Sequence, residues 1–326
     1  MSEAINEVQE RFARFARDEA PGRSARYAEW AAGVADDARI AGVFAPLPSP
    51  HRQPPVVFAV TRMLGAPLQS YSAWAEFVWA NQERVVAECA VRTTQTNEPL
   101  RCVPLLLALE RVAGPIALLE LGASAGLCLF PDRYSYRFRD DAGRVISLDP
   151  DERESAVVLT SDLRGVNAPS RLPNVVWRAG IDVQPRRADE AEDRAWIAGL
   201  VWPGEDQRAQ RVNAALDVAA ASPPLLVAGD AADGHALAAL AAQAPKDATL
   251  VISTPGVLPH IPRVARERLI DAIRGMDARW ITLDSPRLHD AWSTPIADGA
   301  EGFALAVDGE VIALSDPLGG WIARLP

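Results

Sequence analysis

The sequence predicts an α/β protein: a mostly parallel β-sheet that ends in an antiparallel hairpin, with a helical N-terminal subdomain and a small antiparallel insertion. Three patterns indicate this fold. Through residues 1–112, apolar side chains recur at helical spacing. From residue 113 onward, short apolar runs alternate with helical stretches, which is typical of parallel strands joined by crossover helices. A glycine-rich turn follows the first of these runs, Ile116–Leu121.

The N-terminal subdomain, residues 1–112, is predicted to be mostly helical. In its first segment Ile5, Val8, Phe12 and Phe15 would share one helix face between charged residues. One short extended run is predicted at Val56–Val60, after a proline-rich break. The predicted helical segments are residues 3–20, 23–44, 71–92 and 99–113.

The C-terminal domain, residues 113–326, is predicted to hold the sheet. Its strands are predicted at residues 116–121, 175–181, 225–228, 249–252 and 280–283. Its helices are predicted at residues 189–199, 206–221, 233–244 and 262–276. Asp308-Gly309 separates two apolar runs, so we expect a hairpin there. Residues 131–174 break the alternation, and we expect an antiparallel insertion after the first crossover helix.

Composition and charge restrict the class of partner. The net charge is −10, from 33 basic and 43 acidic residues, which disfavours nucleic acid and anionic membranes because their phosphates would repel the protein. The three cysteines show no CxxC spacing, so we expect a reducing compartment and no metal site. The start of the chain has no signal-peptide pattern, and no run approaches the ~20 apolar residues of a membrane span. We therefore expect a cytoplasmic protein that acts on a small molecule.

The turn after the first strand reads Glu120-Leu-Gly-Ala-Ser-Ala-Gly126. Glycine permits unusual backbone angles and lets a ligand approach the main chain. We expect a helix to begin after the turn, with its N–H groups facing that ligand. The run resembles motif I of class I S-adenosylmethionine (SAM) methyltransferases. The resemblance implies that Glu120 lies near the methionine amino group of SAM. It also implies a cofactor loop made of Gly122, Ala123, Ser124 and Gly126.

Two later strand ends extend this resemblance. Gly180-Ile-Asp182 resembles the second methyltransferase motif, whose acid binds the ribose hydroxyls, and Gly229-Asp230 resembles the third, whose acid contacts the adenine amino group. The ribose acid usually follows the loop by about 20 residues, whereas here the interval is roughly 60. The insertion accounts for that interval. Otherwise the ribose ligand is one of Asp140, Asp141 and Asp149.

Nearly the whole chain also resembles an uncharacterised protein family with a methyltransferase-like domain. This resemblance implies a class I methyltransferase-like Rossmann sheet, but it brings no established reaction. The motifs that carry it are Arg92–Glu98, Leu119–Leu127, Asp132–Tyr134, Val176–Asp182 and Val201–Pro203.

Two loops are candidates for contact with a substrate. In the polar segment 92–98 the candidates are Thr94, Gln95, Asn97 and Glu98, although this segment could equally be an interhelical loop in which Thr96 or Asn97 caps the next helix. The loop after the fourth strand contains Ser253 and His260. His260 is the first candidate for a general base, which an oxygen nucleophile would need. The alternative is a surface histidine.

The run Gly122-Ala-Ser124-Ala-Gly126 also matches G-x-S-x-G, the nucleophile elbow of α/β-hydrolases. Ser124 would then attack, with Asp230 or Asp284 orienting His260 or His289. Against this, no HGGG-type oxyanion loop precedes the run, and Glu120 has no role in an elbow. SAM-dependent methylation of a small molecule is therefore the leading prediction. The alternatives are a serine hydrolase and a protein that binds SAM or a nucleotide without catalysis.

Overall fold

The structure, a computed structural model, describes residues 2–151, 153–293, 296 and 299–325. The chain divides into two units. The helical unit comprises Met1–Thr96 and Glu190–Gln210, and the sheet unit comprises Asn97–Asp189 and Arg211–Pro326. In the described part of the chain, no helix combines the length and apolar character that a membrane crossing requires.

The α-helices of the described chain are α1 to α11. Their bounds are Ser2–Arg14, Ala25–Asp36, Ala38–Phe44, Pro54–Met63, Tyr71–Ala80, Gln82–Ala90, Cys102–Leu109, Ala191–Gly199, Asp206–Ala221, Gly234–Ala241 and Arg263–Arg274. A π-helical segment, Phe15–Glu19, directly follows α1. Asp37 ends α2 and caps α3, because its carboxylate accepts the N–H groups of Arg39 and Ile40.

The helical unit is built around aromatic side chains. The Phe58 ring lies 4.7 Å from that of Tyr27 and 5.4 Å from that of Trp74, measured between centroids. The prediction of an extended run at Val56–Val60 is wrong, because these residues lie in α4. Every one of them is fully buried. When all residues of a run are apolar, polar and apolar positions do not alternate, so the sequence shows neither the helical nor the strand period. The prolines that start α4 occupy a favoured helical position.

The sheet unit contains one eleven-stranded sheet, in the order β3-β2-β4-β11-β10-β9-β8-β7-β1-β5-β6. The fold is thus mixed α/β with a mostly parallel sheet, as expected. The strands β1 to β11 are Ile116–Leu121, Ser135–Arg139, Val145–Leu148, Val158–Arg164, Val175–Asp182, Leu225–Ala228, Thr249–Pro255, Arg279–Asp284, Phe303–Val307, Glu310–Ser315 and Trp321–Ala323.

Parallel and antiparallel pairs occupy different parts of this sheet. The strands β6, β5, β1, β7 and β8 pair in parallel, in that spatial order. The strands β8, β9, β10 and β11 pair antiparallel, each with the next. Asp308 and Gly309, which connect β9 and β10, both have positive φ.

The segment between β1 and β5 differs from the sequence-based expectation in two ways. No crossover helix follows β1 directly: a three-residue 3-10 turn, Leu127–Leu129, stands there. Pro131 disfavours helical angles at Phe130, which explains why the turn does not extend. The insertion is also not purely antiparallel. Strand β2 pairs antiparallel with β3 but parallel with β4, and β4 continues the main sheet through β11.

Candidate functional site

The loop Glu120–Gly126 leaves the carboxyl end of β1, which lies between β5 and β7 in the sheet. Three of its residues have left-handed backbone angles: Gly122 with φ 72°, Ser124 with φ 48° and Gly126 with φ 70°. Glycine adopts such angles freely, whereas serine is strained there. At position 122 glycine is needed for space as well, since a Cβ would lie 2.7 Å from Val257 Cγ2.

Strand β5 fixes the position of this loop. The N–H groups of Gly122 and Ala123 both donate to the Ile181 carbonyl, at 2.8 and 3.2 Å. The methyl group of Ala123 lies over Gly180, where an added Cβ would be only 2.4 Å from it. The loop therefore rests on the last residues of β5.

Asp182, the last residue of β5, binds the loop through its side chain. Its Oδ2 accepts the N–H of Ser124 at 2.8 Å, and its Oδ1 accepts the N–H of Gln184 at 2.8 Å. Its main-chain carbonyl accepts the N–H of Gly229, just beyond β6, at 2.9 Å. Each carboxylate oxygen has two lone pairs, so acceptor capacity remains for a ligand hydroxyl. Asp182 is 8% exposed.

Asn97 is a second residue that holds the loop. Its amide nitrogen donates to Ser124 Oγ at 2.9 Å, and its amide oxygen accepts the N–H of Ala125 at 3.0 Å. The next residue, Glu98, is fully buried and forms an ion pair of 2.8 Å with Arg211. Glu98 also caps the following 3-10 turn by accepting the N–H of Leu100, so the cap is neither Thr96 nor Asn97.

The remaining candidates of segment 92–98 belong to the other unit. Thr94 is exposed and Gln95 is half-buried, and both lie in the helical unit. In the sheet unit, the segment thus contributes Asn97 and Glu98.

Glu120 and Ser253 lie side by side as directly paired residues of the parallel strands β1 and β7. The prediction that Ser253 lies in the loop after the fourth strand is wrong, because β7 extends to Pro255. Glu120 is 4% exposed, and its Oε2 is buried with no hydrogen-bond partner in the described part of the chain. Burial raises the pKa of the Glu120 carboxyl well above its usual value. The Cys128 thiol and Asp182 act in the same direction, and Arg101 opposes them. The environment therefore favours the neutral acid.

Asp230 and His260 are two candidates from the sequence that the structure places on the surface. Asp230 follows β6, is exposed, and accepts the N–H of Ala232 at 2.9 Å. His260 is exposed at the end of a 3-10 turn, Leu258–His260. Within the described residues, neither side chain bonds to the Glu120–Gly126 loop.

The other acids considered for a ribose lie around the hairpin of β2 and β3. Asp140 accepts the N–H groups of Ala142 and Arg144, and Asp149 forms an ion pair of 2.8 Å with Arg137. Asp141 accepts the N–H of Gly165. Asp182, in contrast, lies on the strand next to β1.

Two polar residues near these strand ends were not assigned to the cofactor site from the sequence, although Asp284 was considered as an acid of the hydrolase triad. Asp284 ends β8, is fully buried, and has no hydrogen-bond partner for either carboxyl oxygen in the described part of the chain. Burial raises its pKa to about 8, and Arg101 is the strongest influence that opposes this shift. Its place at a strand end was a usable signal. Arg101 gave no signal, because it stands within a predicted helix.

The described residues contain no group of three side chains suited to hold a metal ion. The side chain of His289, the second histidine of the hydrolase alternative, lies outside the described residues. In the described part of the sheet unit, no histidine ring bonds to the Ser124 hydroxyl.

Comparison with known proteins gives one match. A family model described as "Uncharacterized protein conserved in bacteria (DUF2332)" matches residues 9–310. No curated protein and no solved structure matches the chain.

The close packing of the loop on β5 predicts the effect of Gly180→Ala. The added Cβ would lie 2.4 Å from Ala123 Cβ and 3.0 Å from Leu226 Cδ2, so the substitution should lower the free energy of unfolding by about 1–3 kcal/mol. Urea unfolding measures this. The control is Gly234→Ala, where no atom lies within 4 Å, and it should be neutral or stabilising. Equal effects of both substitutions would contradict the packing described here.

Asp284 predicts a specific dependence of stability on pH. Its pKa is raised from 3.8 to about 8 in the folded protein, so its favourable contribution is complete below pH 3.8. That contribution is lost as pH rises through about 8. Asp284→Asn should therefore gain stability relative to the original protein, by up to ~1.4 kcal/mol per pH unit across this window.

Urea unfolding at several pH values would measure this difference, with the exposed Asp277→Asn as the control. A difference between Asp284→Asn and the original protein that stays constant with pH would show that Asp284 is ionised throughout.

Proposed function

Because the chain belongs to the DUF2332 family, whose description names no reaction, we propose a function from its own geometry. We propose that the sheet unit is a Rossmann-type domain that binds SAM at the carboxyl ends of β1, β5 and β6. We further propose that it transfers the methyl group to a small molecule. The observation that carries this proposal is the hydrogen bonding of the glycine loop to Asp182, next to the buried acid Glu120.

The strand order supports a nucleotide-type site. Numbered by their occurrence in the parallel part of the sheet, β6-β5-β1-β7-β8 reads 3-2-1-4-5, the order of doubly wound folds. The order reverses between β1 and β7, and ligands of such sheets bind at the carboxyl ends beside this point. The Glu120–Gly126 loop and Ser253 are at that place.

The residues around the glycine loop favour a ligand that presents a cationic group there over one that presents a pyrophosphate. Dinucleotides place their pyrophosphate on the N-terminus of a helix that directly follows the loop. Here only a three-residue 3-10 turn follows, and the acid Glu120 precedes the loop. SAM carries a sulfonium and an amino group and no phosphate, so it needs the acid and does not need the helix.

The residues present fit the parts of SAM in order along the sheet. Glu120 would accept from the methionine amino group, because its buried Oε2 has no partner in the described chain. Asp182 would accept from the ribose hydroxyls through its remaining lone pairs. Asp230, exposed beyond the neighbouring strand β6, would accept from the adenine amino group.

SAM supplies an already activated methyl group, so the protein must mainly orient the acceptor and exclude water. Ser253, beside Glu120, would contact the acceptor. His260 would remove a proton if the acceptor is an oxygen.

One observation favours the serine hydrolase instead. Ser124 stands at the centre of G-x-S-x-G with φ 48°, and nucleophile elbows hold their serine in a strained turn. The elbow also requires a helix after the turn and a histidine on the hydroxyl. Ser124 instead accepts a hydrogen bond from the Asn97 amide. Covalent labelling of Ser124 by a fluorophosphonate would establish the hydrolase and overturn the methyltransferase.

Calorimetric titration with SAM and with S-adenosylhomocysteine tests the cofactor proposal. We expect both to bind, and we expect Asp182→Ala to weaken binding by roughly 10–100-fold, because about 1.5–3 kcal/mol of hydrogen bonding to a charged group is lost. Asp182→Asn keeps one acceptor and should have an intermediate effect. The exposed Asp247→Ala should bind as the original protein does.

Failure of both ligands to bind would overturn the proposal. Binding without methyl transfer to any acceptor would instead support the non-catalytic alternative.

The buried Glu120 predicts that SAM binding releases a proton. The free protein favours the neutral acid, whose raised pKa results from burial, Cys128 and Asp182. A bound cation favours the carboxylate, so affinity should rise with pH up to the pKa of free Glu120. Titrations in phosphate and in Tris, which have different ionisation enthalpies, should give different apparent binding enthalpies. Glu120→Gln should abolish that difference, whereas the exposed Glu310→Gln should keep it.

A further inference from the structure

Arg101 places a positive charge at the carboxyl edge of the sheet unit. Its Nε donates to the Pro317 carbonyl at 3.1 Å, and its Nη1 donates to the carbonyl of Pro255, the last residue of β7, at 3.0 Å. A guanidinium has five N–H donors, so these two bonds fix its position and leave three donors for another acceptor. No carboxylate of the described chain lies within ion-pair distance of it.

Gly256 makes room for this arrangement. A Cβ at position 256 would lie 3.0 Å from Nη2 and 3.1 Å from Nη1 of Arg101, and the φ of 73° also favours glycine. The guanidinium therefore lies directly against the main chain of the loop that follows β7. The backbone of this loop therefore helps to fix the position of the guanidinium.

The nearby carboxyl groups of the described chain do not pair with this charge. Arg101 acts electrostatically on both Glu120 and Asp284, yet burial raises the pKa of each above its usual value. Burial disfavours the charged form of both acids, and neither forms an ion pair with Arg101 in the described part of the chain.

A small cavity lies beside Arg101. Its volume of about 10 Å³ is close to the least that holds one water, and it is lined by Arg101, Ser253 and Cys128 together with apolar side chains. The apolar members include Leu105, Ile281 and Leu283. Apolar surroundings strengthen the attraction between a guanidinium and an anion.

From these observations we propose that Arg101, with Ser253 beside it, binds a carboxylate of the methyl acceptor, so that the substrate is a small carboxylic acid. The part of this inference that makes the ligand a methyl acceptor rests on the proposed function. The anion site itself does not depend on methyl transfer. A carboxylate matches the planar arrangement of N–H donors on arginine.

The test uses acetate as the probe and acetamide as its neutral, nearly isosteric control, at constant ionic strength. The melting temperature of the full chain should rise with acetate concentration and should not respond to acetamide. In Arg101→Met the apparent acetate affinity should fall at least about tenfold. The exposed Arg268→Met should respond as the original protein does.

A second variant covers the case in which Arg101→Met fails to fold. Gly256→Ala keeps the charge but displaces the guanidinium, so it should also weaken the acetate response. Equal responses to acetate and acetamide, or an unchanged acetate response in both variants, would overturn the proposal.

Binding of S-adenosylhomocysteine, measured by calorimetry, separates the two proposals. If it does not bind while the acetate response depends on Arg101, the anion site stands and the methyltransferase proposal fails. If it binds equally to the original protein and to Arg101→Met while acetate affinity differs, both proposals are supported. If it binds more weakly to Arg101→Met, Arg101 binds the carboxylate of the cofactor, and the proposal of a carboxylic acid acceptor fails.

Discussion

The hydrogen bond from Ser124 N–H to the Asp182 carboxylate is the interaction on which the candidate site depends. The glycine loop combines two glycines and one serine in left-handed conformation, and the serine costs of the order of 1–3 kcal/mol. A hydrogen bond to a charged group contributes about 1.5–3 kcal/mol, which is enough to offset that cost. Asn97 adds two further hydrogen bonds to the loop. The loop is therefore held in place before any ligand arrives.

The sheet could be predicted from the sequence because its central strands are apolar runs with clear ends. The bounds of β1 and β6 agree with the predicted 116–121 and 225–228. The helix α4 could not be predicted, because burial on all sides removes the periodicity that separates helix from strand. The helix expected after Gly126 was a wrong prediction. The motif resemblance suggested a helix there, but a three-residue turn precedes Pro131 instead.

The candidate site was predictable to the extent that it follows from topology. Glu120 and Asp182 end neighbouring parallel strands, and such ends meet at one edge of a sheet. The contacts of Asn97 and Arg101 were not predictable, since they join segments far apart in the chain. Arg101, for instance, binds a carbonyl 216 positions later. Two buried acids, Glu120 and Asp284, also keep carboxyl oxygens without partners in the described chain, which lowers stability in a way typical of functional sites.

The short strand β11 has a consequence for how the protein is made. It lies between β4 and β10 and is the link through which β2, β3 and β4 join the rest of the sheet. The contact between Ser161 and Gly319, just before β11, spans 158 positions. During synthesis, β2 to β4 therefore leave the ribosome long before the strand that completes their pairing. Their unpaired edge is exposed for that interval, so we expect the nascent chain to depend on chaperones more than a sheet assembled in sequence order would.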